Sequence, residues 1–298
     1  MPLFLVSLTN HHDDPARSLF LLQTDGRAFE YKWVDGLEQI DRSGVYTGIV
    51  GLCRSDEHYY AAVQGKYPRI LVFGAGFSLD KVIELERAKD LHSIRFHDGR
   101  LYITSTGTNQ VISIEPHQDR VSEEVVWSYD ESRANEDVIH LNSLEIIDGE
   151  ILVSHCGESR SDSLRVGEIL NLSTGRTLLG GLREPHSLKA YRGALYVAES
   201  LTGNVIELGT KGQTRLVARA KGYVRGLEVY ESALLFGESA FRTVSRKEQE
   251  KKEVVLVNYG QERLWEISRI NFLFRDHAAS VDTTLMGPEV YDLLYLRS

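Results

Sequence analysis

The sequence predicts an all-β protein: a six-bladed β-propeller of four-stranded blades, its ring closed by N- and C-terminal strands that share one blade. Three observations carry this expectation. Five segments repeat a strand, a two-residue turn and a second strand. Further strand-like segments follow each pair. The two ends of the chain read as complementary parts of one more unit.

The five segments are "IVGLCRSDEHYYAAVQG", "LHSIRFHDGRLYITSTG", "LNSLEIIDGEILVSHCG", "PHSLKAYRGALYVAESL" and "VRGLEVYESALLFGESA". Their turns are Asp56-Glu57, Asp98-Gly99, Asp148-Gly149, Arg192-Gly193 and Glu231-Ser232. Asp-Gly is a strong hairpin signal, because both central residues of a type I′ turn need positive φ. The opening residues Val50, His92, Asn142, His186 and Arg225 recur about every 40–50 residues, the size of one blade. Third strands are expected at "QVISIEP", "VGEILNL", "NVIELG" and "EVVLVNY", and fourth strands at "EEVVWSY" and "TRLVARA".

The N-terminus offers "LFLVSLTN", "SLFLLQ" and "AFEYKWV", a blade without its first strand; the C-terminal "GPEVYDLLYLRS" reads as a lone first strand. Joining them would complete the sixth blade and hide the sheet edges. "SLDKVIELERAKD" lies between blades and reads as an outer strand plus linker. The charge run "SRKEQEKKEVV" reads as a solvated loop. Residues 1–298 are expected to form a single domain.

The totals narrow the function classes. The chain has 298 residues, 42% hydrophobic and 26% charged, with a net charge of -9. That balance disfavours nucleic acid, whose phosphates need clustered Lys and Arg. Two cysteines, Cys53 and Cys156, make no disulfide framework and fit a reducing cytoplasm. The N-terminus lacks a basic leader region. No apolar run approaches the roughly 20 residues of a membrane span. The expected partner is a small molecule in the cytoplasm, with no nucleic acid and no membrane; the oligomeric state is open.

In a propeller, the first strand of each blade starts near the axis and the second returns to the same face. Counting back from two-residue turns puts His92 opposite Ser105, Asn142 opposite His155, His186 opposite Glu199, Arg225 opposite Glu238 and Val50 opposite Val63. These residues would converge on one axial mouth. "GPEVYD" aligns with "EPHSLK", which adds Glu289.

Such a cluster suits acid–base chemistry on a small anionic or carbohydrate-like metabolite, by hydrolysis, elimination or isomerisation. His92, His186, Glu199 and His155 are the candidate catalytic groups. Arg225, Glu238, Asn142 and Ser105 are candidate ligand contacts. His92, His186, Glu289 and Asn142 are also candidate ligands for a divalent metal, with Zn, Mn, Fe or Ni favoured over Ca by the imidazoles. No HExxH signature is present. The alternatives are a non-catalytic propeller that binds a ligand or protein, or a polar ring whose members satisfy each other and water.

Other features read as structural. Ser93, Ser143 and Ser187 follow the opening residues, lack a G-x-S-x-G setting and are expected to bond backbone. Cys156 reads as a small buried residue rather than a nucleophile. Gly74 and Gly76 lack the βαβ setting of a dinucleotide site. "HHDD" at His11–Asp14 reads as a loop, and Trp33, Trp127 and Trp265 as packing in outer strands.

From about residue 90 onward, the ordered motifs His-Ser, His-Leu-Asn, Pro-His-Ser, Arg-Gly-Leu and Pro-Glu resemble those of a largely uncharacterised bacterial family of six-bladed propellers. The resemblance implies the fold and stresses His92, His140, Asn142, His186, Arg225 and Glu289, which adds His140 to the ligand contacts. It implies no activity. More distantly, the architecture is similar to the gluconolactonase, paraoxonase and strictosidine-synthase propellers, several of which hold a divalent metal with Asn, Asp and Glu. This chain departs from them by offering His92, His186 and Arg225.

Overall fold

A computed structural model describes residues 1–9, 17–24, 28–37, 46–158, 165–231, 233–239, 268–273, 278–282 and 289–297. Within them the chain is all-β, and its helical segments are single 3-10 turns. The strands are β1 (Leu3–Thr9), β2 (Leu19–Thr24), β3 (Phe29–Trp33), β4 (Tyr46–Arg54), β5 (Tyr59–Gly65), β6 (Arg69–Phe73), β7 (Leu79–Glu84), β8 (Leu91–His97), β9 (Arg100–Ser105), β10 (Gln110–Ile114), β11 (Glu124–Ser128) and β12 (Leu141–Ile147). They continue with β13 (Glu150–His155), β14 (Gly167–Asn171), β15 (Arg176–Leu182), β16 (Pro185–Tyr191), β17 (Ala194–Glu199), β18 (Asn204–Leu208), β19 (Thr214–Arg219), β20 (Tyr223–Tyr230), β21 (Ala233–Ser239), β22 (Ser268–Leu273), β23 (Ala278–Asp282) and β24 (Glu289–Arg297).

Antiparallel four-stranded sheets, as in propellers, are the repeating unit. They comprise β8–β11, β12–β15, β16–β19 and β20–β23. A larger sheet contains β4–β7 and β1–β3, touching through the single pair Thr9–Gly48, with β24 paired to β1 along Leu3–Thr9. Thus the C-terminal strand lies beside the N-terminal one.

The turns behave as their residues require. Asp98 and Gly99 have φ of 47° and 76°, Asp148 and Gly149 of 52° and 81°, and Arg192 and Gly193 of 48° and 80°, the left-handed pair of a type I′ hairpin. "SLDKVIELERAKD" supplies the outer strand β7. One expectation shifts. The third strand beside β21 is β22, whereas "EVVLVNY", the charge run before it, "HHDD" and Trp265 fall outside the described residues.

The core sits between neighbouring sheets. Val50, Tyr60, Ile70 and Ile83 pack against Leu91, Ile94, Leu101 and Ile112. Phe4 meets Tyr230, Phe272 and Tyr295, which join the terminal strands to the β20–β23 sheet. Trp33 and Trp127 lie partly buried against such clusters, as expected of inter-sheet packing.

One local irregularity decides the site. The pairing runs in register from each turn until it nears the opening residue, where a β-bulge inserts one extra residue. Ser105 therefore pairs with Leu91, His155 with Leu141, Glu199 with Pro185, Glu238 with Val224 and Val63 with Ile49. The expected oppositions to His92, Asn142, His186, Arg225 and Val50 are each one residue off, because a count from the turn assumes an unbroken ladder.

Candidate functional site

The bulge falls on His92 and Asn142 and just after His186 and Arg225. A small cavity there is lined by His92, Arg95, Asn142, His186, Tyr291 and Asp292, among others. Residues from β8, β12, β16 and β24 thus meet, and Arg225 of β20 joins them through Glu289.

The two histidines are held by the same device. His92 Nδ1 lies 2.7 Å from Thr106 Oγ1, whose hydroxyl donates to the Leu141 carbonyl. His186 Nδ1 lies 2.9 Å from Ser200 Oγ and 3.0 Å from the Glu184 carbonyl, and Ser200 donates to the Val224 carbonyl at 2.6 Å. In both cases the hydroxyl proton is committed to a carbonyl, so Nδ1 must be the donor and Nε2 keeps its lone pair. Gln64 donates to His92 Nε2 at 3.1 Å. His186 Nε2 has no hydrogen-bond partner among the described residues. Burial drives the His92 pKa down to about 3. It also drives that of His186 well below the ordinary value, helped by the Arg225 charge. Both imidazoles are neutral at pH 7.

His140 stands beside this pair, its ring centroid 4.9 Å from that of His92 and its Nδ1 2.8 Å from Asp137 Oδ2. Arg225 packs between the rings of Tyr223 and Tyr291, at 4.7 and 4.9 Å, and donates to Glu289 at 2.9 Å. Burial disfavours its charge, yet Tyr223, Glu289 and Tyr291 raise its pKa above the ordinary value. Its Nε is buried without a hydrogen-bond partner among the described residues. Tyr291 stacks on His92 at 6.2 Å, and Tyr223 meets His186 edge-on at 5.8 Å while donating to Glu184. Asn142 is 1% exposed. Its amide nitrogen donates to the Pro185 carbonyl and faces Cys156 Sγ, and its Oδ1 has no partner among the described residues.

The structure therefore brings together His92, His140, Asn142, His186, Arg225 and Glu289. It turns Ser105, His155, Glu199 and Glu238 elsewhere, because the bulge moves them out of opposition. Glu199 accepts from the Arg183 amide, Thr202 and Asn204. Glu238 accepts from the amides of Lys221 and Gly222 and from Asn271. Ser105 accepts from the Lys89 amide. His155 accepts from the Gly157 amide and lies 3.2 Å from Glu168. All four pin the connection between neighbouring strands. Cys156 is free and buried, and burial raises its thiol pKa, so it is no thiolate. The serines bond backbone as expected: Ser143 accepts from the Leu188 amide and Ser187 from the Gly226 amide.

The residues do not fit a ready-made metal site. Glu289 is engaged by Arg225 and Thr9, and His92 Nε2 by Gln64. Among the described residues, no three His, Cys, Asp or Glu side chains converge to hold an ion.

Two features escaped the sequence reading. The partners of His92, Asn142 and His186 lie 14 residues on, at Thr106, Cys156 and Ser200; the recurrence of a small polar residue at that distance was the available signal. Three residues after His92, Asn142, His186, Arg225 and Glu289 stand Arg95, Glu145, Lys189, Glu228 and Asp292. Arg95 lies 3.4 Å from Glu145, and Lys189 lies 2.9 Å from Glu228. Asp292 accepts from the Leu52 amide at 2.8 Å and Glu228 from the Tyr295 amide, so each carboxylate links one first strand to the next. A charge at the same place in five repeats was legible, but only the folded chain shows these links.

Solved structures share this fold at low identity. One is a nidogen/laminin complex, at 10% identity and a TM-score of 0.66, covering 98% of this chain and 97% of that one. Another is a protein of unknown function from Bacteroides caccae, at 11% and 0.63, covering 100% of both. A third is a candidate 6-phosphogluconolactonase from Bacteroides uniformis, at 9% and 0.54, covering 99% of both. These likenesses bear on fold alone. No curated protein matches the chain. Residues 90–298, which carry the opening motifs from His92 to Glu289, match a domain family whose function is unknown, and the chain belongs to that family, DUF4915.

Proposed function

We propose that the chain is one six-bladed propeller domain whose axial mouth binds a small, neutral, polyhydroxylated metabolite and transforms it by acid–base chemistry. Successive contacts among β4, β8, β12, β16, β20 and β24, and of β24 with β4, support the closed ring. The observation that carries the chemistry is the shared histidine device. Two neutral imidazoles are fixed in one tautomer, and His186 keeps an unengaged Nε2 lone pair near Arg225. His186 is the base, Arg225 the stabiliser of developing negative charge, and His92 and His140 position the ligand.

The charge balance chooses between the ligand classes. Asp90, Asp137, Glu184 and Glu289 lie about the mouth with Arg225, and Asp292 and Arg95 face each other on the cavity wall, so among these residues five carboxyls stand against two guanidiniums. An anionic metabolite would meet net repulsion there. Hydroxyl groups suit the carboxylates as donors, and the faces of Tyr223 and Tyr291 suit the apolar side of a sugar-like ring. Buried free thiols suit a reducing compartment, which supports a cytoplasmic location.

The test pairs calorimetry with product detection by NMR, using neutral sugars, polyols and lactones beside sugar acids and sugar phosphates. Neutral compounds should bind. His186→Ala should keep binding yet slow turnover about 10²–10⁴-fold. Binding without conversion of any compound would favour the non-catalytic propeller, and turnover that survives His186→Ala would place the chemistry elsewhere.

A further inference from the structure

We infer that the cavity beside His186 holds the reacting water, which makes the chemistry at the mouth hydrolysis of a neutral carboxylic ester or lactone. This deepens the proposed function and rests on the mouth being a reaction site.

The cavity volume is about 10 Å³, the size of a single water. Asn142 and His186 both line it. Asn142 Oδ1 is a buried carbonyl oxygen without a partner among the described residues, and His186 Nε2 keeps its lone pair because Nδ1 is the donor to Glu184 and Ser200. Leaving such groups dry costs free energy, and a water has the two protons they need. Water so held points its remaining lone pairs away from both acceptors.

The matching electrophile site is Arg225. Its Nε–H is a buried donor without a hydrogen-bond partner among the described residues, and its position is fixed by Tyr223, Tyr291 and Glu289. A buried, pre-aimed donor is what a developing oxyanion requires. In the first step the water oxygen bonds to the acyl carbon, one water proton passes to His186 Nε2, and the carbonyl π pair moves onto the oxygen facing Arg225. The bonds from His186 Nδ1 to the Glu184 carbonyl and Ser200 then share the imidazolium charge. In the second step the π bond re-forms, the C–O bond to the leaving group breaks, and His186 returns its proton to that oxygen. The sum is ester plus water giving acid plus alcohol, or lactone plus water giving hydroxy acid. A phosphate ester would bring charge into a mouth already carrying Asp90, Asp137, Glu184 and Glu289. Glycoside cleavage needs a flanking carboxyl pair, and Glu289 is committed to Arg225.

Two measurements on the full chain test this. A crystal structure should show one ordered water within hydrogen-bond distance of Asn142 Oδ1 and His186 Nε2; a dry cavity or a cation there overturns the inference whatever the activity. A panel of neutral lactones and 4-nitrophenyl esters, run in ¹⁸O-labelled water, should give labelled carboxylate with at least one member. Asn142 is a positioning residue, so Asn142→Leu should lower kcat about 10–100-fold with KM nearly unchanged, and Arg225→Lys should lower kcat about 10²–10³-fold. Neutral sugars that bind while no ester or lactone is hydrolysed would sink hydrolysis and leave the proposed mouth intact. If nothing binds and nothing reacts, both fail. Should Asn142→Leu not fold, the wild-type water and label still decide.

Discussion

At the scale of single residues, the histidines depend on hydroxyls that do not touch the mouth. Ser200 takes the His186 Nδ1 proton and passes its own to the Val224 carbonyl. Ser200→Ala deletes one acceptor and one donor in a buried place and should cost about 1–3 kcal/mol in denaturant unfolding. Ser200→Thr, the residue His92 uses at Thr106, should restore most of it. The sequence displayed His92, His186 and Arg225 as repeated openings. It hid their partners, because the bulge moves each true neighbour to the residue after the one the turn predicts.

Titration also belongs to this scale. His92 and His186 are neutral when folded and take up a proton near pH 6.5 when unfolded. The unfolded state then binds more protons below pH 6.5, so stability falls as pH drops from 6.5 toward 4. Asp292 has the opposite sign. Burial raises its pKa from 3.8 to about 6, against Arg95 and two backbone amides, so the folded state holds the extra proton between those values and stability from this group falls as pH rises. His186→Asn should flatten the acid limb of a plot of Tm against pH, and Asp292→Asn should steepen it. The reverse pattern would mean that other groups control acid stability.

At the scale of elements, the bulge is the device that builds the site. It falls on the opening residue in three hairpins and just after it in two, where it sets a residue in the left-handed region, Ser187 at φ 54° and Gly226 at φ 59°. A Cβ on Gly226 would lie 3.1 Å from Asp292 Cα on β24. Gly226→Ala adds that squeeze to the backbone cost and should destabilise by about 1–3 kcal/mol, read by chemical denaturation. The hairpins themselves were legible, because Asp-Gly and Arg-Gly fix the turn geometry and the alternating residues fix the faces. The bulge was not. An extra residue leaves the turn, the length and the hydrophobic pattern of a strand nearly unchanged.

At the scale of the whole molecule, the terminal strands carry the largest consequence. β24 pairs along β1, packs Tyr295 against Phe4 and Tyr230, and sends Asp292 to the Leu52 amide. Removing residues 289–298 would bare the edge of β1 and leave that core open. The truncated chain should lose its cooperative melting transition and aggregate, as seen by circular dichroism and size-exclusion chromatography. A truncated chain that stays monomeric and melts cooperatively would mean that β24 is dispensable.

What the sequence determined by itself was the all-β repeat, the turn types, the complementary ends and the identity of the opening residues, because each is set by local chemistry within a few residues. Tertiary structure alone decided which of the nominated groups meet. His92, His140, Asn142, His186, Arg225 and Glu289 lie together, whereas Ser105, His155, Glu199 and Glu238 bond the connections beside their own strands. A bulge at or just after the opening residue, where each first strand packs against the next sheet, makes that division. No reading of a single repeat contains the neighbour that holds it.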